Sequence, residues 1–278
     1  MKLVLMGDFH YPRLDHADAD SELFQARDVF FSGMIQAFLD IEADYHISLG
    51  DFSNFGAAEE LSALYGLLRQ DERQRRFIHV LGNHDTYSMP KPDILALTGQ
   101  QRYHSIDTDE ARLIFLDTSK EMDHKDYGGE IDPAQRAWLD KELLQAGSKP
   151  VLLFGHHPIP ETTALSDLDM LRIHPEDDIW PSLKKTPAPG YYFCGHNHIH
   201  SIASREHWHF VQTAACLDLP AFRVAELKDG QLSVDTIPVQ DEHLLQLAKL
   251  IKVNMKHFKP KPAAAGQPSD HSLRVNHT

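Results

Sequence analysis

The chain is poor in cysteine. Cys194 and Cys216 are its only two in 278 residues. That is too few for a disulfide framework, and it points to a reducing compartment and a cytoplasmic protein. Long hydrophobic runs are also missing. No apolar stretch approaches the ~18 residues that a membrane span requires, so no membrane association is expected. The opening MKLVLMGDFH breaks its short apolar run at Asp8 and does not read as a signal peptide. Positive charge is scarce: 27 Lys and Arg stand against 41 Asp and Glu, a net charge of -14. That argues against a surface for nucleic-acid polymers, which needs clustered Lys and Arg. It suits a small substrate, and a bound metal could still attract an anion locally. No internal repeat is visible.

Histidine is abundant, 19 in all. The hydrophobic (42%) and charged (24%) fractions are those of an ordinary globular protein, long enough for one large domain or two small ones. Short apolar runs ending in glycine recur: KLVLMG (2–7), DYHISLG (44–50), RFIHVLG (76–82), PVLLFG (150–155) and GYYFCG (190–195). They read as buried strands. Helical patterns lie between them at 21–41, 57–70 and 133–146, the last with Asp132 as N-cap and Pro133 at N1. Such alternation argues for an α/β fold. After residue 200 short strands dominate: SIASRE, WHFVQTAA and FRVAELKDGQLSVDTIPV, with KDGQ (228–231) as a hairpin turn. These are expected to join a second sheet. Residues 240–258 space Leu244, Leu245, Leu247, Leu250, Ile251 and Val253 as an amphipathic helix, and a Pro/Ala-rich tail follows. The expected organisation is a catalytic domain over 1–238, then the helix and tail over 239–278. The helix could dock on its own domain or on a second copy, which leaves homo-oligomerisation open. The order of residues 259–278 is open too.

The informative residues come just after the strands. They are Asp8 and His10 in GDFH, Asp51 in GDFSNFG, and Asn83, His84 and Asp85 in GNHD. His156 and His157 follow in GHHP, and His196 and His198 in GHNH. Ligands of α/β sheets gather beyond the carboxyl ends of the strands, so five strands deliver these groups to one edge. Imidazole nitrogens with carboxylate and amide oxygens, and no thiolate, suit Zn, Mn, Fe or Co. Seven candidate ligands are too many for one ion. A shared carboxylate would let them hold two, about 3.5–4 Å apart. One such motif is weak; five in order, each at a strand end, are a site.

The blocks D-x-H, G-D-x-x, G-N-H-[D/E], G-H-x-P and G-H-x-H together resemble the calcineurin-like metallophosphoesterase family over roughly residues 1–215. The resemblance implies a four-layer α/β/β/α sandwich of two mixed β-sheets flanked by helices. It implies two divalent or mixed-valence transition-metal ions (Mn, Fe, Zn or Co). Asp8, His10 and His198 would hold one ion, Asp51 would bridge, and Asn83, His156 and His196 would complete the other. His84 would contact the substrate phosphate and protonate the leaving group, with Asp85 orienting it. The implied chemistry is in-line attack of a metal-activated hydroxide on phosphorus, with His84 as the acid. GDFSNFGAAEE (50–60) and FCGHNH (193–198) look most like the bacterial class III cyclic-nucleotide and glycerophosphodiester phosphodiesterases. A small phosphodiester is therefore the expected substrate. The alternatives are a small-molecule phosphomonoester and, more remotely, a non-catalytic scaffold. Asn54 stands where purple acid phosphatases carry a tyrosine, and GNHDTY lacks the arginine that follows GNHE in protein Ser/Thr phosphatases.

Other residues keep two readings. His157 is a substrate contact or a support, and His200 lines the pocket or is a bystander. His46 and His79 read as hydrogen-bonded residues within strands. His207 and His209 flank Trp208 on a sheet face. Tyr87 in loop 86–95 and Trp180 in insertion 159–189 either stack on a substrate or pack their loops. The acidic run DHADADSE (15–22) reads as a solvated loop or as pocket lining. Cys194 reads as a small buried apolar residue.

Overall fold

A computed structural model describes residues 1–15, 17 and 21–277. The acidic run at 15–22 lies largely outside the described residues, at His16, Asp18, Ala19 and Asp20.

The chain runs β1 (Lys2–Met6), α1 (Glu22–Asp40), β2 (Tyr45–Ser48), α2 (Ala58–Arg69), β3 (Phe77–His79), α3 (Lys91–Thr98), β4 (His104–Asp107) and β5 (Arg112–Phe115). It continues with α4 (Pro133–Ala146), β6 (Val151–Phe154), α5 (Trp180–Leu183), β7 (Gly190–Cys194), β8 (Ser201–Arg205) and β9 (Trp208–Gln212). It ends with β10 (Ala221–Lys228), β11 (Gln231–Pro238), α6 (Glu242–Asn254) and β12 (Ser272–Asn276). One six-stranded sheet has the order β12-β11-β10-β1-β2-β3, the other β4-β5-β6-β7-β9-β8. Both are mixed. β1, β2 and β3 are parallel, as are β5, β6, β7 and β9, and antiparallel strands flank each set.

Two-residue alternation builds the layers. Leu3 and Leu5 face the space between the sheets with Phe115, Phe154 and Phe193. Val4 and Met6 face outward to Phe30, Phe31 and Met34 of α1 and Ile251 of α6. On the second sheet Leu153 and Tyr192 face Leu139 and Leu143 of α4 and Leu183 of α5. Strands covered on both faces must be apolar at every position, which is why these runs read as continuous rather than alternating. Asp132 caps α4 as its sequence implies, its side chain accepting from Gln135 N at 2.9 Å.

The structure departs from the sequence reading in two places, and it places one segment that the sequence left open. β4 and β5 are strands absent from the sequence reading; edge strand HSID is mostly half-exposed, whereas RLIF of β5 is mostly apolar and buried. The β10–β11 hairpin does not join the second sheet. β10 pairs antiparallel with β1, Val4 opposite Val224, and only β8 and β9 extend the second sheet. The stretch after 238 folds onto the rest. Leu244, Ala248 and Ile251 of α6 are buried, and α6 rests on α1 of its own chain, with Leu244 against Gly33. Residues 272–276 then form β12 beside β11.

Candidate metal centre

The carboxyl ends of β1, β2, β3, β6 and β7 meet where the two sheets adjoin. The loops there are locked by their backbones. Asp51 O accepts from Phe9 N and His10 N at 2.9 and 2.8 Å. The Asp8 carboxylate accepts from His196 N, and Asp51 Oδ1 from His84 N at 2.8 Å. His10, Asp51, His196 and His198 all lie in the left-handed region, with φ of 54°, 49°, 70° and 58°. Strain of that kind, roughly 1 kcal/mol or more per residue, persists only where the surroundings over-determine it. Two motif glycines serve the neighbouring loops. A Cβ at Gly82 would stand 2.1 Å from Asp51 N, and one at Gly195 would stand 2.5 Å from Asp8 Oδ2.

Asp8, His10, Asp51 and His198 place one donor atom each within 4.8 Å of one another. His10 Nε2 and His198 Nε2 are 3.0 Å apart, and Asp8 Oδ1 is 3.6 Å from His198 Nε2. The second group centres on His156 Nε2. It faces Asn83 Oδ1 at 3.1 Å, His196 Nδ1 at 3.2 Å and Asp51 Oδ2 at 3.3 Å. Asp51 Oδ2 also lies 3.7 Å from His10 Nε2, so this carboxylate stands between the groups.

The free lone pairs can be assigned. His156 Nδ1 is 2.8 Å from Leu49 O and His196 Nε2 is 2.8 Å from Met170 O. A carbonyl only accepts, so each of those nitrogens carries the hydrogen. That turns His156 Nε2 and His196 Nδ1 inward, each a lone pair whenever its ring is neutral, the outer-shell arrangement of metal-binding histidines. Acceptor nitrogens and oxygens therefore crowd together at hydrogen-bond distance around His156 Nε2.

Charge tells the same story. Burial pushes Asp8 up to about 7, against the pull of His156. Burial would raise Asp51 too, but His156, His84 and His10 together hold it well below the usual carboxylate range. Burial would lower His156, yet Asp51 and Asp8 raise it to about 9. Burial holds His196 and His198 down at about 3, and His10 well below its usual value. The site demands positive charge between neutral imidazoles and two carboxylates. A proton on His156 meets that demand in part, and metal cations could meet the rest. The donors are nitrogen and oxygen only; Cys194 and Cys216 are buried free thiols.

All seven candidate ligands thus come together. His84 lies beside them, its ring 4.5 Å from that of His10. Asp85 does not orient it. The Asp85 carboxylate accepts from Ser53 N and Oγ, Phe52 N and Gly82 N and pairs with His79 Nε2, while His84 Nδ1 donates to Asn54 O at 2.7 Å. The resemblance implied otherwise, but these neighbours in a turn point apart and find different partners. His157 is also within reach of His156 and His196. Both its ring nitrogens are engaged, by Thr118 Oγ1 and Tyr127 O, so it is a support. His200 is buried with Nδ1 accepting from Ala214 N, outside the donor groups. Trp180 packs under Arg205 in the outer core, away from the site. Tyr87 sits against His84, ring centroids 4.8 Å apart.

Three contributors were not anticipated. The Phe258 ring stacks on His198 at 5.1 Å and meets His10 edge-on at 5.2 Å. Asp218, its side chain 1% exposed, lies 3.8 Å from His198 Nδ1 and accepts from Lys261 N. Asn54 Nδ2 donates to Lys256 O. Residues 255–261 thus form one wall of the site. No spacing signal marks them, because the wall comes from the far end of the chain.

The family model for calcineurin-like phosphoesterase matches residues 1–200. The chain belongs to that family. Among calcineurin-like relatives, it is 31% identical over 157 residues to the glycerophosphodiester phosphodiesterase GpdQ of Enterobacter lignolyticus (strain SCF1), 54% of each chain. It is 36% identical over 89 residues, 32% of each, to "Probable cyclic nucleotide phosphodiesterase RPA0124" of Rhodopseudomonas palustris. The matches thus span about half of the first relative's length and a third of the second's. Among solved structures, the phosphopantetheinyl hydrolase PptH of Mycobacterium tuberculosis overlays with a TM-score of 0.46 at 12% identity, covering 77% of this chain and 89% of that one.

Proposed function

We propose that this chain is a binuclear metal-dependent phosphodiesterase acting on a small diester of the cyclic-nucleotide or glycerophosphodiester type. The observation that carries it is the placement of Asp51 Oδ2 between His156 Nε2 and His10 Nε2, each at the head of its own donor group. In this reading Asp8, His10 and His198 hold one ion, Asn83, His156 and His196 the other, and Asp51 bridges. The names of the two curated relatives support a diester substrate. The catalytic domain takes in residues 1–238, with the C-terminal segment folded onto it. Two buried thiols suit a reducing, cytoplasmic setting.

Two bound cations would neutralise phosphate oxygens and lower the pKa of a water towards 7. The chain's own residues do the rest. His84 donates its Nδ1–H to Asn54 O, which leaves Nε2 to face the substrate. Protonated there, it gives that proton to the departing alkoxide as the water oxygen bonds to phosphorus and the ester P–O bond breaks. Phe258 keeps water off one side of His10 and His198, and the insertion holds His196 through Met170 O.

The test is hydrolysis by metal-stripped protein after adding Mn²⁺, Zn²⁺ or Co²⁺, comparing bis-p-nitrophenyl phosphate with p-nitrophenyl phosphate. The expected result is metal-dependent turnover that favours the diester and is lost in Asn83→Ala. Preference for the monoester would overturn the substrate class. A protein that binds no metal would overturn the centre.

A further inference from the structure

We propose that Tyr87 is a positioning residue for the second metal position, acting through Asn83; this rests on the two-metal reading above. An Asn side chain has two faces of nearly equal shape, one a donor and one an acceptor, and only hydrogen bonding decides which points where. Asn83 Nδ2 donates to Tyr87 Oη at 2.7 Å. That bond turns Oδ1 inward, 3.1 Å from His156 Nε2. Among the described residues no other hydrogen bond to Nδ2 is found. The ring of Tyr87 is fixed in turn, 4.8 Å from His84, 4.6 Å from His124 and 6.1 Å from Phe55. Without the hydroxyl nothing holds Nδ2 outward. The amide is then free to present its NH₂ to the second position, where donor hydrogens repel a cation.

Tyr87→Phe removes one oxygen and keeps the ring packing. The experiment titrates metal-free wild type, Tyr87→Phe, Asn83→Ala and the double variant with Mn²⁺, following calorimetry and the EPR signal of a coupled Mn²⁺ pair. Wild type should take up two ions. In Tyr87→Phe the first ion should bind as in wild type, and the second about 10–100-fold more weakly, as for other outer-shell partners of metal ligands. The coupled signal should vanish at low Mn²⁺ and return at high Mn²⁺. The kcat for bis-p-nitrophenyl phosphate should follow that recovery, with KM unchanged at saturating metal. In the Asn83→Ala background the second substitution should add nothing. Wild-type affinity for both ions in Tyr87→Phe would overturn the inference and leave the two-metal reading standing. So would an undiminished effect in the Asn83→Ala background, which would place the action in packing. Fewer than two ions on wild type would overturn both.

Discussion

His84 Nδ1 donates to the carbonyl oxygen of Asn54 at 2.7 Å, and this bond to the β2 loop sets the imidazole's tautomer and direction. A backbone acceptor cannot be removed by substituting its own side chain. Asn54→Ala should therefore keep His84 in place. His84→Ala should lower kcat by about 10²–10⁴ on esters of poor leaving groups. It should do less on p-nitrophenyl esters, whose leaving group hardly needs a proton. Equal losses on both substrate types would remove His84 from the acid role.

Asp85 should behave as a structural residue. It is fully buried and pairs with His79 while three backbone N–H groups and the Ser53 hydroxyl converge on it. Asp85→Asn leaves part of that set mispaired, and breaking a buried pair costs about 3–5 kcal/mol. Urea unfolding should show that loss. The variant's pH–rate profile, measured at a temperature where it is folded, should keep the wild-type shape. A shifted acid limb would mean that Asp85 acts on His84 after all.

Gly82→Ala should damage the site without touching a ligand. The new methyl would stand 2.2 Å from Asp51 Oδ1 as well as against its backbone nitrogen. Overpacking of this kind costs about 1–3 kcal/mol, and here the atoms that must yield belong to Asp51, which stands between the two donor groups. Uptake of both ions should weaken together, as read by metal content after gel filtration. Gly66→Ala, with open space around its Cβ position, is the control and should bind metal as wild type does.

Much of this could be read in the sequence, for a physical reason. Strands buried on both faces must be apolar throughout, so runs such as KLVLM and VLLF announce themselves, and the donors following them are close by in sequence. What stayed hidden depended on long-range pairing. The glycines of GD, GN and GH read as ends of strands. In the structure Gly82 and Gly195 are spaces left for the Asp51 and Asp8 of other loops. The resemblance gave His84 the partner Asp85, whereas the Asn54 carbonyl that holds it has no sequence signature. β4, half-exposed at an edge, had no apolar run to mark it.

A pH effect away from the site follows from His46. Burial lowers its pKa to about 4, although its ring bonds to Ile41 O, a contact that favours the charged form. The unfolded chain binds a proton below its ordinary value of 6.5, and the folded chain refuses it until about 4. The sign is therefore a loss of stability as pH falls from 6.5 towards 4. His46→Gln keeps a donor for Ile41 O and does not titrate. Its unfolding free energy should fall less than that of wild type between pH 7 and 4.5. Parallel curves would show that His46 is not a source of acid sensitivity.

Asp8 stands early in this sequence, and Phe258, which covers the histidines beside it, stands late. Donors appear on a growing chain in the order 8, 10, 51, 83, 156, 196 and 198, and the early ones wait for partners not yet made. The enclosing wall follows only after α6. A chain made only as far as His198 carries every donor and still lacks this cover, so the wall closes over the donors last. Shortening the chain to Asn254 would recreate that unfinished stage in a purified protein, whereas an extension after β12 would hang from a sheet edge.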